Sequence, residues 1–301
     1  MTNKKALTVV IPTYNGEKFL SQQIDSILKQ TLKPDRILIL DDHSTDSTLK
    51  ILSKYNKHSQ IEIHDFDNNV GVVENLKRAI PLLSNNEYIA LADQDDIWDI
   101  DKLEITYSEL LNLEMNHTST SCIVFTDARA ISESNEVLFD SYFKEIKWNY
   151  NYFTLESIFI NGGIIGSASL MNYSMFQQLK NLDNNFKIYH DEWFLFISFT
   201  FGKKVFIDKS TISHRKHANS LTFHNRHPKN TLLSRILLNL KFIISSKSLL
   251  HDRIITAKCF LAKYQNLLSR YDIDRFNKFI RLHNKSYFIK KIYIRKHIKL
   301  T

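Results

Sequence analysis

YIALADQDDIWD, residues 88–99, runs five strand-forming or small apolar residues into three carboxylates, Asp93, Asp95 and Asp96, with Trp98 close behind. A short apolar run bounded by turn residues reads as a buried strand. Charge crowded at the end of such a strand needs a purpose: each aspartate alone could be a turn residue or a helix cap, but three together suit a bound cation.

Upstream of this stretch the same pattern repeats. "LTVVIPTYN" (7–15) is β-branched and strand-like, and "EKFLSQQIDSILKQ" (17–30) spaces Leu20, Ile24, Ile27 and Leu28 as a helix does. "RILIL" (36–40) stops at Asp41-Asp42, several capping residues lie between Ser44 and Ser47, and "STLKILSKY" (47–55) follows as a helix. "IEIHD" (61–65) is a third strand, "GVVENLKRAIPLL" (71–83) a third helix, and Tyr88–Ala92 a fourth strand. Strands alternating with helices predict an α/β fold with a largely parallel sheet and right-handed crossovers. In such sheets ligands bind outside the carboxyl ends of the strands. Those ends carry Thr13-Tyr14-Asn15, Asp41-Asp42, Asp65 and Asp67, and the Asp93–Asp96 group.

The first turn holds one glycine, Gly16, where a dinucleotide fingerprint wants three, and no GxxxxGK[ST] occurs. A glycine-rich phosphate cradle is therefore excluded. Magnesium or manganese, which favour carboxylate and phosphate oxygens, would fit Asp93 and Asp95 spaced D-x-D and would bring a diphosphate with them.

The 301 residues are 43% hydrophobic and 24% charged, and no apolar run is long enough to span a bilayer. The N-terminus leads straight into a strand-like run without a leader pattern, so the expectation is a cytoplasmic protein. Cys122 and Cys259 read as buried free thiols. Net charge is +8, but residues 226–301 hold 18 Lys+Arg against three Asp, a net of +15, which leaves −7 for residues 1–225. All six glycines fall in the acidic part. A boundary near Arg226 divides a motif-bearing region, 1–225, from a basic, amphipathic helical one, 226–301.

Three segments, "VVIPTYNGEKFLSQQIDSILKQT" (9–31), "ILDDHSTDST" (39–48) and "ADQDDIW" (92–98), together resemble the family 2 glycosyltransferases, inverting enzymes of GT-A fold. The resemblance covers about residues 5–220. It implies a nucleotide-diphospho-sugar donor bound about residues 1–100, an acceptor half about 101–225, a divalent metal (Mn2+ or Mg2+) and a carboxylate base. By motif, Pro12, Thr13, Tyr14 and Glu17 would line the nucleoside pocket, and Asp42 would read the base or ribose. Asp93 and Asp95 would be the D-x-D pair, with Asp95 the direct metal ligand. "YHDEWFLFISFTFG" (189–202) looks like the segment carrying the catalytic aspartate; where Glu-Asp is usual, His190-Asp191-Glu192 stands here, giving Asp191 as the base and Glu192 as its rival. Read structurally, Asp191 would be a helix N-cap. "INGGIIGSASLMN" (160–172) resembles the acceptor-side loop, or else is a tight turn. In "SHRKHANSLT" (213–222), Arg215 would offer a planar fork to phosphate and His217 a metal or phosphate contact. Val70 stands where some relatives carry a basic residue, with Lys77 and Arg78 one or two turns further on.

"DQDDIW" and "HDEW" are similar to rhamnosyltransferase-like members, which implies dTDP-rhamnose as donor, with UDP-hexoses the alternative. In "TLLSRILLNLKFIISSKSLL" (231–250) and "SYFIKKIYIRKHIKL" (286–300), apolar residues at helical spacing alternate with cations. These are expected to hold the chain on the inner face of the cell membrane, where a lipid-linked glycan acceptor would sit. The alternatives are packing on the catalytic region or pairing in a homodimer. A nucleic-acid-binding role would use the same cations but leaves the acidic strand ends without purpose, and no nucleic-acid motif occurs. A catalytically silent sugar-nucleotide binder would be expected to lack one of the carboxylates. A nucleotidyltransferase would leave the Asp191 segment unexplained.

Overall fold

The computed structural model describes residues 5–118, 120–145, 150, 153–161, 164–183, 186, 188–217 and 250–297. Gly162, Gly163, the boundary near Arg226 and residues 231–249 of the first amphipathic stretch lie outside the described residues.

The predicted alternation is the observed one. Strands β1 (Ala6–Thr13), β2 (Arg36–Asp41), β3 (Ile61–Asp65) and β4 (Glu87–Leu91) are joined by helices α1 (Leu20–Leu28), α2 (Thr48–Ser53) and α3 (Val72–Arg78). They lie side by side in parallel, in the order β3-β2-β1-β4. The chain beyond β4 adds β5 (Ile97–Trp98), β6 (Cys122–Ile131), β7 (Val137–Phe139), β8 (Ser169–Asn172) and β9 (Lys203–Arg215) as a second half of the sheet. Strand β8 runs antiparallel between β4 and β6, β6 pairs in parallel with β9, and β5 closes the order β3-β2-β1-β4-β8-β6-β9-β5, with β7 on β6. Helices α4 (Lys102–Asn116), α5 (Tyr142–Glu145), α6 (Leu155–Asn161), α7 (Tyr173–Phe176) and α8 (His190–Thr200) complete this half.

Side chains of a strand alternate between faces, and a sheet covered on both sides buries both sets. Leu7, Val9 and Ile11 of β1, with Ile37 and Ile39 of β2, therefore pack on Leu20, Ile24 and Leu103. Val10, Leu38 and Leu40 enter the opposite core with Leu76, Phe159, Trp193 and Phe196. That second core also takes the C-terminal helices α9 (His251–Tyr264), α10 (Arg270–Ile280) and α11 (Tyr287–His297). Phe260 and Phe276 stack 5.3 Å apart, Phe279 stacks on Phe159 at 4.5 Å, and Arg275 pairs with Glu156 of α6 at 2.5 Å. Burying a phenylalanine contributes on the order of 2 kcal/mol. The described basic helices are thus bound into the catalytic core through their apolar faces. Among the described residues no helix is long and apolar enough to cross a membrane.

Candidate active site at the strand ends

Thr13 lies opposite Asp41, and Asp41 opposite Asp65, so the first three strands end level. Just beyond, Asn15 (φ 49) and His43 (φ 65) hold left-handed backbone, which a non-glycine residue adopts only when its surroundings impose it. Here the Thr45 N–H donates to Asn15 Oδ1 at 2.8 Å, and the Asn15 N–H to Ser44 Oγ at 2.9 Å. The loops after β1 and β2 are thereby one unit. Glu17 belongs to it, accepting from the Ser47 N–H at 2.9 Å, while Tyr14 is 45% exposed and Pro12 half-buried on the same rim.

Gln94, between the two carboxylates of the D-x-D pair, fastens that turn to β1. Its Oε1 accepts from Thr13 Oγ1 (2.6 Å) and the Tyr14 N–H (2.9 Å), and its Nε2 donates to the Tyr14 carbonyl (3.1 Å). Gly16 makes room for it: a Cβ there would lie 2.5 Å from Gln94 Oε1 and 2.9 Å from Thr13 Oγ1.

Asp42 is buried, and its backbone N–H donates to the Thr13 carbonyl at 2.8 Å. Its carboxylate accepts from the N–H groups of Val70 (3.0 Å) and Gly71 (2.8 Å) and from Arg78 Nη1 (3.0 Å). Gly71 has φ +81, which glycine adopts without strain. Arg78 also lies 4.1 Å over the Phe66 ring. The cation beside Asp42 is therefore Arg78, not a residue at position 70.

The three carboxylates after β4 differ in setting. Asp96 is fully buried and accepts from Ser167 Oγ (2.6 Å) and the Arg215 N–H (3.3 Å), with His214 Nδ1 at 3.0 Å. Asp95 is half-buried, with Oδ2 2.6 Å from His217 Nε2. Burial, then the negative charges of Asp96 and Asp95, push the Asp93 carboxyl up to about 8. Burial works against the charged form of His214, but Asp96, Asp93 and Asp95 together outweigh it and hold its pKa above the ordinary value. Ligand atoms of Asp93, Asp96 and His214 lie within 4.8 Å of one another. This surplus of carboxylate oxygen fits magnesium or manganese. With Asp96 already engaged by three donors, Asp93 and Asp95 are the carboxylates with capacity to spare.

Arg215 is placed differently from the fork that its sequence position suggested. It is fully buried, and its donors meet protein acceptors: Nε to the Asp95 carbonyl (2.8 Å), Nη1 to Ser132 O (3.1 Å), Glu133 O (3.2 Å) and Asn135 Oδ1 (2.7 Å), and Nη2 to Gln22 Oε1 (2.9 Å). Its guanidinium faces the Phe19 ring at 4.4 Å. In this arrangement it braces the D-x-D turn from behind.

Asp191 stands in the first turn of α8, where its Oδ1 accepts from the Glu192 N–H at 2.8 Å. Burial pushes its carboxyl up to about 6, against the pull of that N–H and of the Arg253 charge. Burial also holds His190 down at about 4, and its Nδ1 has no hydrogen-bond partner among the described residues. The dipeptide Gly166-Ser167 joins the two halves of the site. A Cβ on Gly166 would lie 2.7 Å from His190 Nε2 and 3.5 Å from Asp191 Cβ, while Ser167 bonds Asp96.

Gln94, His214, Ser167 and Arg253 were not singled out from the sequence. Gln94 had a readable signal in its place between Asp93 and Asp95, in the turn that follows β4. The others are brought in by residues distant along the chain.

A parallel α/β sheet continued by antiparallel strands, with paired carboxylates at its strand ends and a further carboxylate heading a helix across from them, defines a GT-A type nucleotide-sugar fold. The chain belongs to glycosyl transferase family 2, whose sequence profile matches residues 8–180. Similar curated proteins include the dTDP-rhamnosyl transferase RfbG of Shigella flexneri, 29% identical over 220 residues that make up 69% of this chain and 72% of RfbG. The putative teichuronic acid biosynthesis glycosyltransferase TuaG of Bacillus subtilis is 35% identical over 106 residues, 35% of this chain. The UDP-Glc:alpha-D-GlcNAc-diphosphoundecaprenol beta-1,3-glucosyltransferase WfgD of Escherichia coli is 32% identical over 108 residues, likewise 35% of this chain. The chain spans 42% of TuaG and 41% of WfgD. Among solved structures, S. aureus TarS 1-349 in complex with UDP-GlcNAc superposes with a TM-score of 0.54 at 17% identity, covering 97% of this chain and 79% of that one, a likeness of fold.

Proposed function

We propose that this protein transfers a sugar from a nucleoside diphosphate to a hydroxyl of a cell-surface glycan, with inversion at the anomeric carbon. The observation that carries the reading is the Gly166-Ser167 junction, which sets Asp191 on one side and the D-x-D turn on the other. Thr13, Tyr14, Glu17 and the Asp42–Arg78 pair would hold the nucleoside along the rim. Asp93 and Asp95, with His217, would hold a divalent cation, which when bound supplies positive charge to the departing diphosphate. Asp191 would take the proton of the acceptor hydroxyl as that oxygen bonds to the anomeric carbon. The bond from that carbon to the phosphate oxygen breaks, and its electron pair leaves with the nucleoside diphosphate. A general base of this kind contributes ~10²–10⁴-fold. RfbG, a dTDP-rhamnosyl transferase, supports dTDP-rhamnose as donor, and the UDP-GlcNAc bound to TarS supports a UDP-hexose as the alternative.

The alpha-D-GlcNAc-diphosphoundecaprenol that WfgD is named for supports a lipid-linked acceptor and hence a place at the inner membrane face. On α11, Phe288, Ile289 and Ile292 are exposed (68%, 45% and 66%) beside Lys285, Arg295 and Lys296. That face would meet anionic headgroups. Because α9 and α10 belong to the core, the test is Phe288→Ser with Ile292→Ser rather than truncation: flotation with anionic vesicles should fall in the variant. Flotation with neutral vesicles as strong as with anionic ones, or none for the wild type, would remove this part.

The reading as a whole is tested by incubating the protein with UDP-, dTDP- and GDP-sugars and manganese. One donor class should be consumed with release of its nucleoside diphosphate, and EDTA should stop it. Consumption of none, or undiminished turnover in EDTA, overturns it.

A further inference from the structure

Asp191 and Glu192 are adjacent carboxylates at the head of one helix, and both could accept a proton. The structure separates them. Arg253, in the first turn of α9, grips Glu192 with both arms, Nη2 2.5 Å from Oε1 and Nη1 on Oε2. The two side chains are only 22% and 13% exposed. They line a 290 Å³ cleft that also meets Tyr189, Leu250, His251 and Asp252, between the heads of α8 and α9.

We propose that Arg253 is a positioning residue for transfer: by compensating the charge of Glu192 it leaves Asp191 as the single unpaired carboxylate at the head of α8, making the C-terminal helices part of the catalytic centre. The proposal rests on the reading of Asp191 as the base. Its physical ground is that two carboxylates sharing a site cannot both ionise freely, whereas a carboxylate beside a closed ion pair can. The charged and titratable groups around Asp191 agree. His190 on its own turn is held neutral by burial, Glu192 is taken by Arg253, and His251 and Asp252 face the cleft from α9. Arg253 is the one cation that draws the Asp191 carboxyl downward among the influences acting on it. Glu192 is held above its ordinary value by burial despite Arg253, so without Arg253 it would compete for a proton. A bidentate arginine does this better than a lysine, whose point charge cannot bond both oxygens at once.

The test follows the Asp191 carboxyl by 13C NMR of aspartate-labelled, metal-free protein, with Asp191→Asn assigning the signal. Arg253→Ala should raise the midpoint by about 1 pH unit or more. Arg253→Lys should raise it less, and Arg253→Ala with Glu192→Gln should bring it back near the wild type. Glu192→Gln alone, which needs no loss of the arginine, should lower it. A staple that merely fastens α9 to α8 would change melting temperature in Arg253→Ala but leave the midpoint in place, and the second carboxamide would restore nothing; either result overturns the proposal. An unmoved midpoint in Glu192→Gln does so even if Arg253→Ala fails to fold. Release of nucleoside diphosphate from dTDP-rhamnose and UDP-GlcNAc, followed in parallel, keeps the two readings apart. Normal turnover by Asp191→Asn would remove Asp191 as the base, whatever Arg253 does to its titration.

Discussion

Replacing Arg215 by alanine should unfold the molecule more readily without removing a phosphate ligand. The guanidinium is fully buried and serves acceptors from α1 (Gln22), the D-x-D turn (Asp95) and the β6–β7 turn (Ser132, Glu133, Asn135). Hydrogen bonds to a charged group contribute about 1.5–3 kcal/mol each. Glu133 and Asn135 are exposed, so water replaces the arginine there at small cost. Gln22 is exposed as well; Asp95 and Ser132 are half-buried, and losing the bonds to their two carbonyls sets the expected destabilisation at about 3–5 kcal/mol. For a chain of this size that lowers the melting temperature by on the order of 10 °C. Arg215→Lys should recover less than half of the loss, because one ammonium cannot reach three segments. Thermal melts and calorimetry of nucleoside diphosphate binding, run on the same samples below the melt, check this. A melt unchanged within ~1 °C together with lost diphosphate affinity would refute the bracing role and restore Arg215 as a phosphate ligand.

Other substitutions divide in the same way. Asp95→Ala should abolish sugar-nucleotide turnover with the melt unchanged, whereas Asp96→Asn should cost about 1–3 kcal/mol of stability by disturbing the donors from Ser167, His214 and the Arg215 N–H; the opposite pattern in paired melts and rate assays would exchange their roles. Gly16→Ala should push Gln94 off Thr13 and Tyr14 and weaken nucleotide binding about tenfold or more, and Gln94→Ala added to it should recover part of that loss if the clash is the cause. The turnover rate should fall tenfold per pH unit below about 6 and level off above, because the base works only when ionised and burial raises Asp191 from its ordinary 3.8 to about 6. A limb near pH 4 would contradict this.

The first four strands and their crossovers were legible because each strand–helix switch is written locally, in a change from β-branched runs to helical spacing with aspartates between. The pairing of β6 with β9 is not, since it joins residues 122–131 to 203–215 and leaves no local trace. The same reason separates Asp42 from Arg215. The Asp42 setting follows from a strand end and a following loop, whereas the role of Arg215 depends on acceptors at 22, 95 and 132–135. Its chemistry alone suggested phosphate; its packing supplies a different set of partners. In the C-terminal part, the +15 charge drew attention to a separate surface region. The informative pattern was the apolar spacing of Ile254, Ala257 and Phe260, which the fold uses to bury α9 against α6 and α8. Asp191 was singled out by motif, but its difference in setting from Glu192 depends on Arg253, about sixty residues away.

The most direct test of the account compares Asp191→Asn with the wild type in two assays on one preparation: turnover of the sugar nucleotide and calorimetric affinity for the nucleoside diphosphate. Asparagine keeps the shape and the helix head, so the account predicts turnover lower by ~10²–10⁴-fold with affinity unchanged. Turnover at the wild-type rate would contradict it, and with it the assignment of Asp191 as the group that takes the acceptor's proton.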